Sequence, residues 1–301
     1  MPGKVKILVA DDVYLEPLKK LPRSKFQITV KQSISDNDIF REGCDVLVIR
    51  STRKLDKNFL ERFTGTVIAT FTKGTDHIDI KSAKKKNIKI LNSDKGNSQS
   101  AAEHTLLLIL AASKNLIIAD SIVRSGNFEN LNYSRTELSG KKVGIIGYGS
   151  IGKRVGRLCK AFGMEILAND IDPMVKRKNK SINFKSLKYI LKNCDIVSLH
   201  IPLNDKNIGF FSKEKLSLLK EDCIFINTSR GEVVDENCLL KLLKSRRIIA
   251  GLDVFSGEPN VNPLFFNHRN VILSNHIAGK TKESKRRISE DVTAKIIRFY
   301  M

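Results

Sequence analysis

Short runs rich in Val and Ile alternate along this chain with longer amphipathic or charged segments. The alternation predicts parallel strands joined by crossover helices, because a strand covered on both faces is apolar throughout while its covering helix keeps one polar face. Strands are expected in the first part at 5–10, 26–30, 46–50, 67–71 and 88–91. A second series follows Gly140, at 143–147, 165–169, 196–201, 223–227, 248–254 and 271–274. The expected fold is α/β, with two doubly wound parallel sheets. Between the series, Ser98 or Ser100 can cap a helix, Glu103 completes a box with Ser100, and Leu106, Leu107 and Leu110 mark a buried stripe. That helix is expected to bridge the domains. Near the end, Ile288, Val292, Ile296 and Ile297 recur at helical spacing over 282–300, a helix able to return to the first domain.

Length and composition agree with this picture. The 301 residues suffice for two domains with separate cores, and 41% of them are apolar. The opening apolar stretch is too short for a signal peptide, and the greasiest segment, 105–113, is cut by Lys114 and Asn115, far below the roughly 18 apolar residues of a spanning helix. No membrane span is expected. Cys44, Cys159, Cys194, Cys223 and Cys238 form no C-x-x-C pair, and three lie in or beside apolar runs, so they read as structural thiols of a cytoplasmic protein. The 53 basic against 32 acidic side chains, net +21, invite a nucleic-acid reading. The lysines are spread from Lys4 to Lys295 without a basic arm or aromatic ladder, which favours a solvated surface that attracts small anions.

Chemistry enters at the second series. The run 143–152 breaks into glycines spaced G-x-G-x-x-G, at Gly147, Gly149 and Gly152, between a legible strand and a legible helix. Gly147 permits a tight turn, Gly149 lets backbone approach a pyrophosphate, and Gly152 lets the helix pack on the sheet. Ser150 and Ile151 in the turn, and Thr228 at a neighbouring strand end, are further cofactor candidates. Asp170 lies 18 residues past Gly152, near the spacing for a carboxylate that binds ribose hydroxyls and repels a 2′-phosphate. NAD is favoured over NADP, although Lys176, Arg177 and Lys178 follow. No metal site is expected.

Ligands in such sheets bind beyond the carboxyl ends of the strands. Arg230, Glu258 and His276 follow three of those ends, and together they supply what oxidation of a hydroxy acid requires. Arg230 can hold a carboxylate as a fork, His276 can take the hydroxyl proton, and Glu258 can orient the imidazole.

GIIGYGSIG (144–152), DIVSLHIPLN (195–204), NTSRGEVVDE (227–236), AGLDVFSGEP (250–259) and NHIAG (275–279) resemble the successive signatures of the D-isomer-specific 2-hydroxyacid dehydrogenases. GTDHIDI (74–80) and SAAEHTLLLIL (100–110) are similar to that family's first domain and bridging helix, so the resemblance spans nearly the whole chain. It implies a flavodoxin-like substrate domain from 1–96 and 282–301 and a Rossmann NAD domain over 97–281. It also implies a cleft between them that closes on substrate, and a homodimer formed through the NAD domains. By the same resemblance Arg230 is the substrate arginine, Glu258 the histidine's partner, His276 the acid/base and Asp253 the residue that binds the nicotinamide carboxamide. His200 falls beside the cofactor without assigned chemistry, and His77, His104 and His268 match no catalytic position.

The segment 48–54 resembles the substrate loop of 3-phosphoglycerate dehydrogenases, and a phosphorylated acid suits Arg50 and Arg53. Segment 70–77 is nearer the loop of 4-phosphoerythronate dehydrogenases, with Lys73 as a compensating cation. Arg50, Ser51, Lys73 and Gly74 are therefore the substrate-binding candidates. The leading expectation is oxidation of D-3-phosphoglycerate in serine biosynthesis. 4-Phosphoerythronate, glycerate, lactate and an NAD-sensing corepressor are the alternatives. The chain ends at Met301 just past the returning helix, so no appended regulatory domain is expected.

Overall fold

A computed structural model describes residues 3–94, 96–128 and 135–301. The chain divides into two compact units, Met1–Asn97 with Lys280–Met301, and Ser98–Gly279.

The first unit runs β1 (Val5–Val9), α1 (Glu16–Lys19), β2 (Phe26–Val30), α2 (Asp36–Glu42), β3 (Val46–Ile49), α3 (Lys57–Arg62), β4 (Val67–Thr70), α4 (Ile80–Lys85) and β5 (Lys89–Leu91). The five strands are parallel in the order β2-β1-β3-β4-β5, the flavodoxin-like arrangement. Alternate side chains of each central strand enter opposite cores. Ile7, Val9, Val46, Val48, Val67 and Ala69 face one, while Leu8, Leu47, Ile49 and Ile68 face the other. Burial on both faces is why these strands read as unbroken apolar runs. The C-terminal helix of the chain completes the first of these cores through Ile288, Val292 and Ile296, spaced by one turn.

The second unit continues with α5 (Ser98–Lys114), α6 (Leu116–Arg124), β6 (Lys142–Ile146), α7 (Gly152–Ala161), β7 (Glu165–Asn169), α8 (Pro173–Lys178), β8 (Asn183–Phe184), α9 (Leu187–Asn193), β9 (Ile196–Leu199), α10 (Lys213–Leu216), β10 (Cys223–Asn227), α11 (Glu236–Lys244), β11 (Ile248–Leu252) and β12 (Val271–Leu273). The C-terminal helix is then α12 (Lys282–Tyr300), capped by Thr281, whose hydroxyl accepts the Ser284 N–H at 3.1 Å. The seven strands are parallel in the order β12-β11-β10-β9-β6-β7-β8. Strand order reverses between β6 and β9, the switch point at which doubly wound sheets bind ligands. Among the described residues no helix is long and apolar enough to cross a membrane.

Four expectations change. The two-residue β8 went unread, because so short an edge strand leaves no alternation to detect. The strands expected to reach 147, 201, 254 and 274 stop at Ile146, Leu199, Leu252 and Leu273, and the residues beyond them form the loops described below. On α5 the buried face is Ala101, Ala102, Thr105, Leu108, Ile109 and Ala112, whereas Leu107 is 52% exposed. Five consecutive apolar residues leave the phase of that helix open, and the small alanines decide it by admitting close packing against α7 and the sheet. Nor does Ser100 cap α5, since it lies inside the helix and its hydroxyl donates to the Ala278 carbonyl at 2.6 Å.

Candidate active site

The glycine turn sits between β6 and α7, with Gly147 at φ +90°, a left-handed conformation that favours glycine. A Cβ on Gly152 would lie 2.2 Å from the Gly147 carbonyl oxygen, so the helix start approaches the turn as only glycine allows. Over Gly149 the space is open, with no atom within 4 Å of an added Cβ. Ile151 offers no side-chain cap to the first turn of α7, whose amides lack intrahelical acceptors, and that is the arrangement an anionic pyrophosphate fits. Ser150 accepts a hydrogen bond from Ser98 at 3.2 Å, tying the turn to α5. The ring of Tyr148 is buried, edge-on to Phe184 with centroids 5.8 Å apart, so it packs the fold.

Asp170 follows β7. One carboxylate oxygen accepts the Tyr148 N–H at 2.7 Å and the other the Asp172 N–H at 2.9 Å. Each keeps a lone pair, as recognition of a ribose diol demands. The cap of α8 is Asp172, which accepts from the Met174 N–H, so Asp170 is left for the turn. These residues fit NAD.

Register brings the reacting groups together. Asn227 pairs with Leu252, and Leu252 with Leu273, so β10, β11 and β12 end level and release three loops side by side. In the first loop Asn227 accepts both the N–H and the hydroxyl of Ser229, at 3.0 and 2.7 Å, and donates to the Arg230 carbonyl at 2.9 Å. Arg230 Nη1 then donates to the Ser229 carbonyl at 2.7 Å. Thr228 Oγ1 lies 3.0 Å from Thr105 Oγ1 on α5. Gly231 comes so near the next loop that a Cβ there would lie 1.9 Å from the Phe255 carbonyl carbon.

The second loop carries Glu258, before a cis bond to Pro259. Its Oε1 accepts the Phe255 N–H at 3.0 Å, and its Oε2 lies 2.7 Å from His276 Nδ1 in the third loop. Burial pushes the Glu258 carboxyl upward, but the hydrogen bonds from His276 and Phe255 and the charges of His276 and Arg230 outweigh it and hold the group below its ordinary value. Glu258 is thus ionised and fixes the proton of His276 on Nδ1, which leaves Nε2 for a ligand. With 37% of its side chain exposed, His276 is accessible. Nearby Glu236 was not anticipated. It accepts the Ser256 N–H at 2.6 Å, and burial together with the charges of Glu232 and Glu258 raises its carboxyl.

Asp253, at the end of the second strand of the three, has its carboxylate engaged by the neighbouring loop. The residue is fully buried, and its oxygens accept the Ser274 hydroxyl at 2.6 Å and the N–H groups of Ile277 and Ala278, both at 2.9 Å. Through these bonds it anchors the His276 loop. His200 Nε2 is occupied 2.9 Å from Ser198 Oγ.

In the first unit, Arg50 and Ser51 follow β3, and Lys73 and Gly74 follow β4, at adjacent strand ends. Asp11 accepts the Arg50 N–H at 2.7 Å, and Arg50 Nη1 donates to the Asp12 carbonyl at 3.3 Å. Arg53, expected to suit a phosphate, is instead a structural cation, 3.3 Å from Asp11, 2.6 Å from Asp36 and 2.7 Å from the Ile34 carbonyl. Two carboxylates already take its charge. Asn92 and Thr72 hold the carbonyls of Lys73 and Gly74, each at 2.7 Å.

Comparison with known proteins agrees with this geometry. Residues 106–278 match the model of the D-isomer specific 2-hydroxyacid dehydrogenase, NAD binding domain. The chain is 30% identical to D-3-phosphoglycerate dehydrogenase of Bacillus subtilis (strain 168) over 299 residues, 98% of this chain but 57% of that protein. It is 35% identical to glyoxylate reductase of Thermococcus litoralis over 265 residues, 85% of this chain and 80% of that protein. The structure of D-lactate dehydrogenase from Aquifex aeolicus, complexed with NAD and lactic acid, superposes with a TM-score of 0.83 at 28% identity, covering 98% of this chain and 95% of that one. The chain spans little more than half the length of the phosphoglycerate relatives it matches. With a glycine turn suited to NAD, three level strand ends and these likenesses in hand, the chain belongs to the D-isomer-specific 2-hydroxyacid dehydrogenases.

Proposed function

We propose that the protein oxidises a D-2-hydroxy acid to the 2-keto acid with NAD, or runs the reverse reduction. The observation that carries this is the 2.7 Å pairing of His276 Nδ1 with an ionised Glu258, beside Arg230 and at the level ends of β10, β11 and β12. Arg230 binds the substrate carboxylate as a fork and polarises the neighbouring oxygen. His276 Nε2 removes the hydroxyl proton in oxidation and returns it in reduction. Glu258 stabilises the imidazolium that forms in between. The bound nicotinamide supplies the hydride acceptor or donor. Binding of NAD alone requires none of these three side chains, which speaks against a corepressor.

For the substrate, the leading reading is D-3-phosphoglycerate, as in serine biosynthesis. Its support is the likeness to phosphoglycerate dehydrogenases along almost the whole chain and the placement of Arg50, Ser51, Lys73 and Gly74 at adjacent strand ends. The neutralised Arg53 favours a second reading, a small unphosphorylated keto acid, and relatives named glyoxylate reductase and hydroxypyruvate reductase match at 35% and 33% identity. A homodimer through the second unit belongs to the proposal. Its support is α6, which buries no residue and exposes Leu116, Ile117 and Val123.

The test is a panel of phosphorylated and unphosphorylated 2-keto acids followed by NADH absorbance, with His276→Ala as its control. Turnover of at least one acid is expected, with kcat reduced about 10²- to 10⁴-fold in the variant and NADH affinity unchanged. An inert wild-type protein, or a variant of equal kcat, overturns the reading.

A further inference from the structure

One face of α5 grips the loop that carries His276 on both sides of the imidazole. Ser100 donates to the Ala278 carbonyl at 2.6 Å, and one turn later His104 Nε2 lies 3.0 Å from Ser274 Oγ and 3.4 Å from Asp253 Oδ1. The Ser274 hydroxyl has a single hydrogen, given to Asp253 at 2.6 Å, so the His104 nitrogen is the donor in its pair with Ser274. Asp253 in turn holds the amides of Ile277 and Ala278, and its backbone carbonyl accepts the His276 N–H at 2.8 Å. What this linkage holds is a histidine at φ +55°, a left-handed conformation that residues other than glycine avoid. Local contacts do not favour that backbone, so the surroundings must impose it.

We propose that His104 is a positioning residue for the reaction: through its Nε2 donor to Ser274 and Asp253 it fixes the backbone that presents His276 to the substrate. The proposal rests on the dehydrogenase reading above and adds to it a residue remote from the reacting atoms. The state of Asp253 supports it. Burial pushes that carboxyl upward, yet the hydrogen bonds from His104, Ser274, Ala278 and Ile277 hold it below its ordinary value, so His104 is one of the donors that keep the anchor an anion. His104 is itself largely enclosed, with 12% of its side chain exposed.

The experiment compares His104→Leu, His104→Gln and Ser274→Ala with wild type by amide hydrogen exchange at Ile277 and Ala278 and by steady-state kinetics. In His104→Leu and Ser274→Ala, exchange at both amides is expected to quicken about tenfold or more. kcat is expected to fall about tenfold, while KM for the keto acid and NADH affinity stay within about twofold. His104→Gln, whose side-chain N–H can reach the same oxygens, is expected to restore both readouts. Unchanged exchange in His104→Leu, faster exchange with unchanged kcat, or a glutamine no better than leucine overturns the proposal. Should His104→Leu fail to fold, Ser274→Ala cuts the same link and decides by the same criteria. A wild-type chain inert toward every acid defeats the dehydrogenase reading, whereas exchange at Ile277 and Ala278 still reports whether His104 holds the loop.

Discussion

At position 258 a single carboxylate joins two loops. Its carboxyl is lowered in the folded protein from an ordinary 4.5, although burial opposes the shift, because His276 and Phe255 donate to it. A carboxyl lowered on folding contributes stability that is complete above about its unfolded value and fades as pH falls through the folded one. Glu258→Gln is therefore expected to lose about 1 kcal/mol in urea unfolding at pH 7, the scale of a partly exposed charged hydrogen bond. The deficit should shrink as the pH falls below about 4.5. A deficit independent of pH would show that Glu258 is not held as an ion. Arg230, Glu258 and His276 were legible as residues because each follows an apolar run. Glu258 was also legible as the partner of His276, but the distance at which they meet was not, since it depends on three strands ending level. Asp253 illustrates the limit: it was legible as a motif residue, but its burial with four donors was not.

Among the elements, two glycines separate packing from binding. Gly231 has the Phe255 backbone against it, whereas Gly149 faces open space without a positive φ. Gly231→Ala is expected to cost about 1–3 kcal/mol of stability by forcing the first two loops apart, as overpacking does. Gly149→Ala should leave stability within about 0.5 kcal/mol while weakening NAD binding, because the methyl stands where backbone meets the pyrophosphate. Thermal unfolding and NADH titration of both variants check this, and equal losses of stability would contradict it. Strand positions were legible to within one or two residues because burial on both faces leaves a continuous apolar run. The phase of α5 was not, because the unbroken apolar run 106–112 goes all the way round the helix and leaves no stripe to read. Of its polar residues bonded to the catalytic loops, Ser100 was read as a cap, and His104 and Thr105 were left without a role.

For the molecule as a whole, the net charge of +21 has a kinetic consequence. A positive surface raises the encounter rate with anions, and salt screens that field over roughly 10 Å at 0.1 M. With an accepted acid, kcat/KM is expected to fall several-fold between 20 and 300 mM salt while kcat stays level, and more steeply for a phosphorylated acid than for a monocarboxylate. A flat response would leave the charge as surface composition alone. The two units carry separate sheets with separate pairs of cores, and each follows its own strand order.

By itself the chain determined the α/β class, the two strand series, the glycine turn and the types of reacting side chain, since these rest on patterns local in sequence. Only the tertiary structure decided that Arg53 is neutralised by Asp11 and Asp36, that Asp253 is an anchor and that His104 reaches the His276 loop. Each of those joins groups distant in sequence through burial and hydrogen bonding, which linear order does not encode.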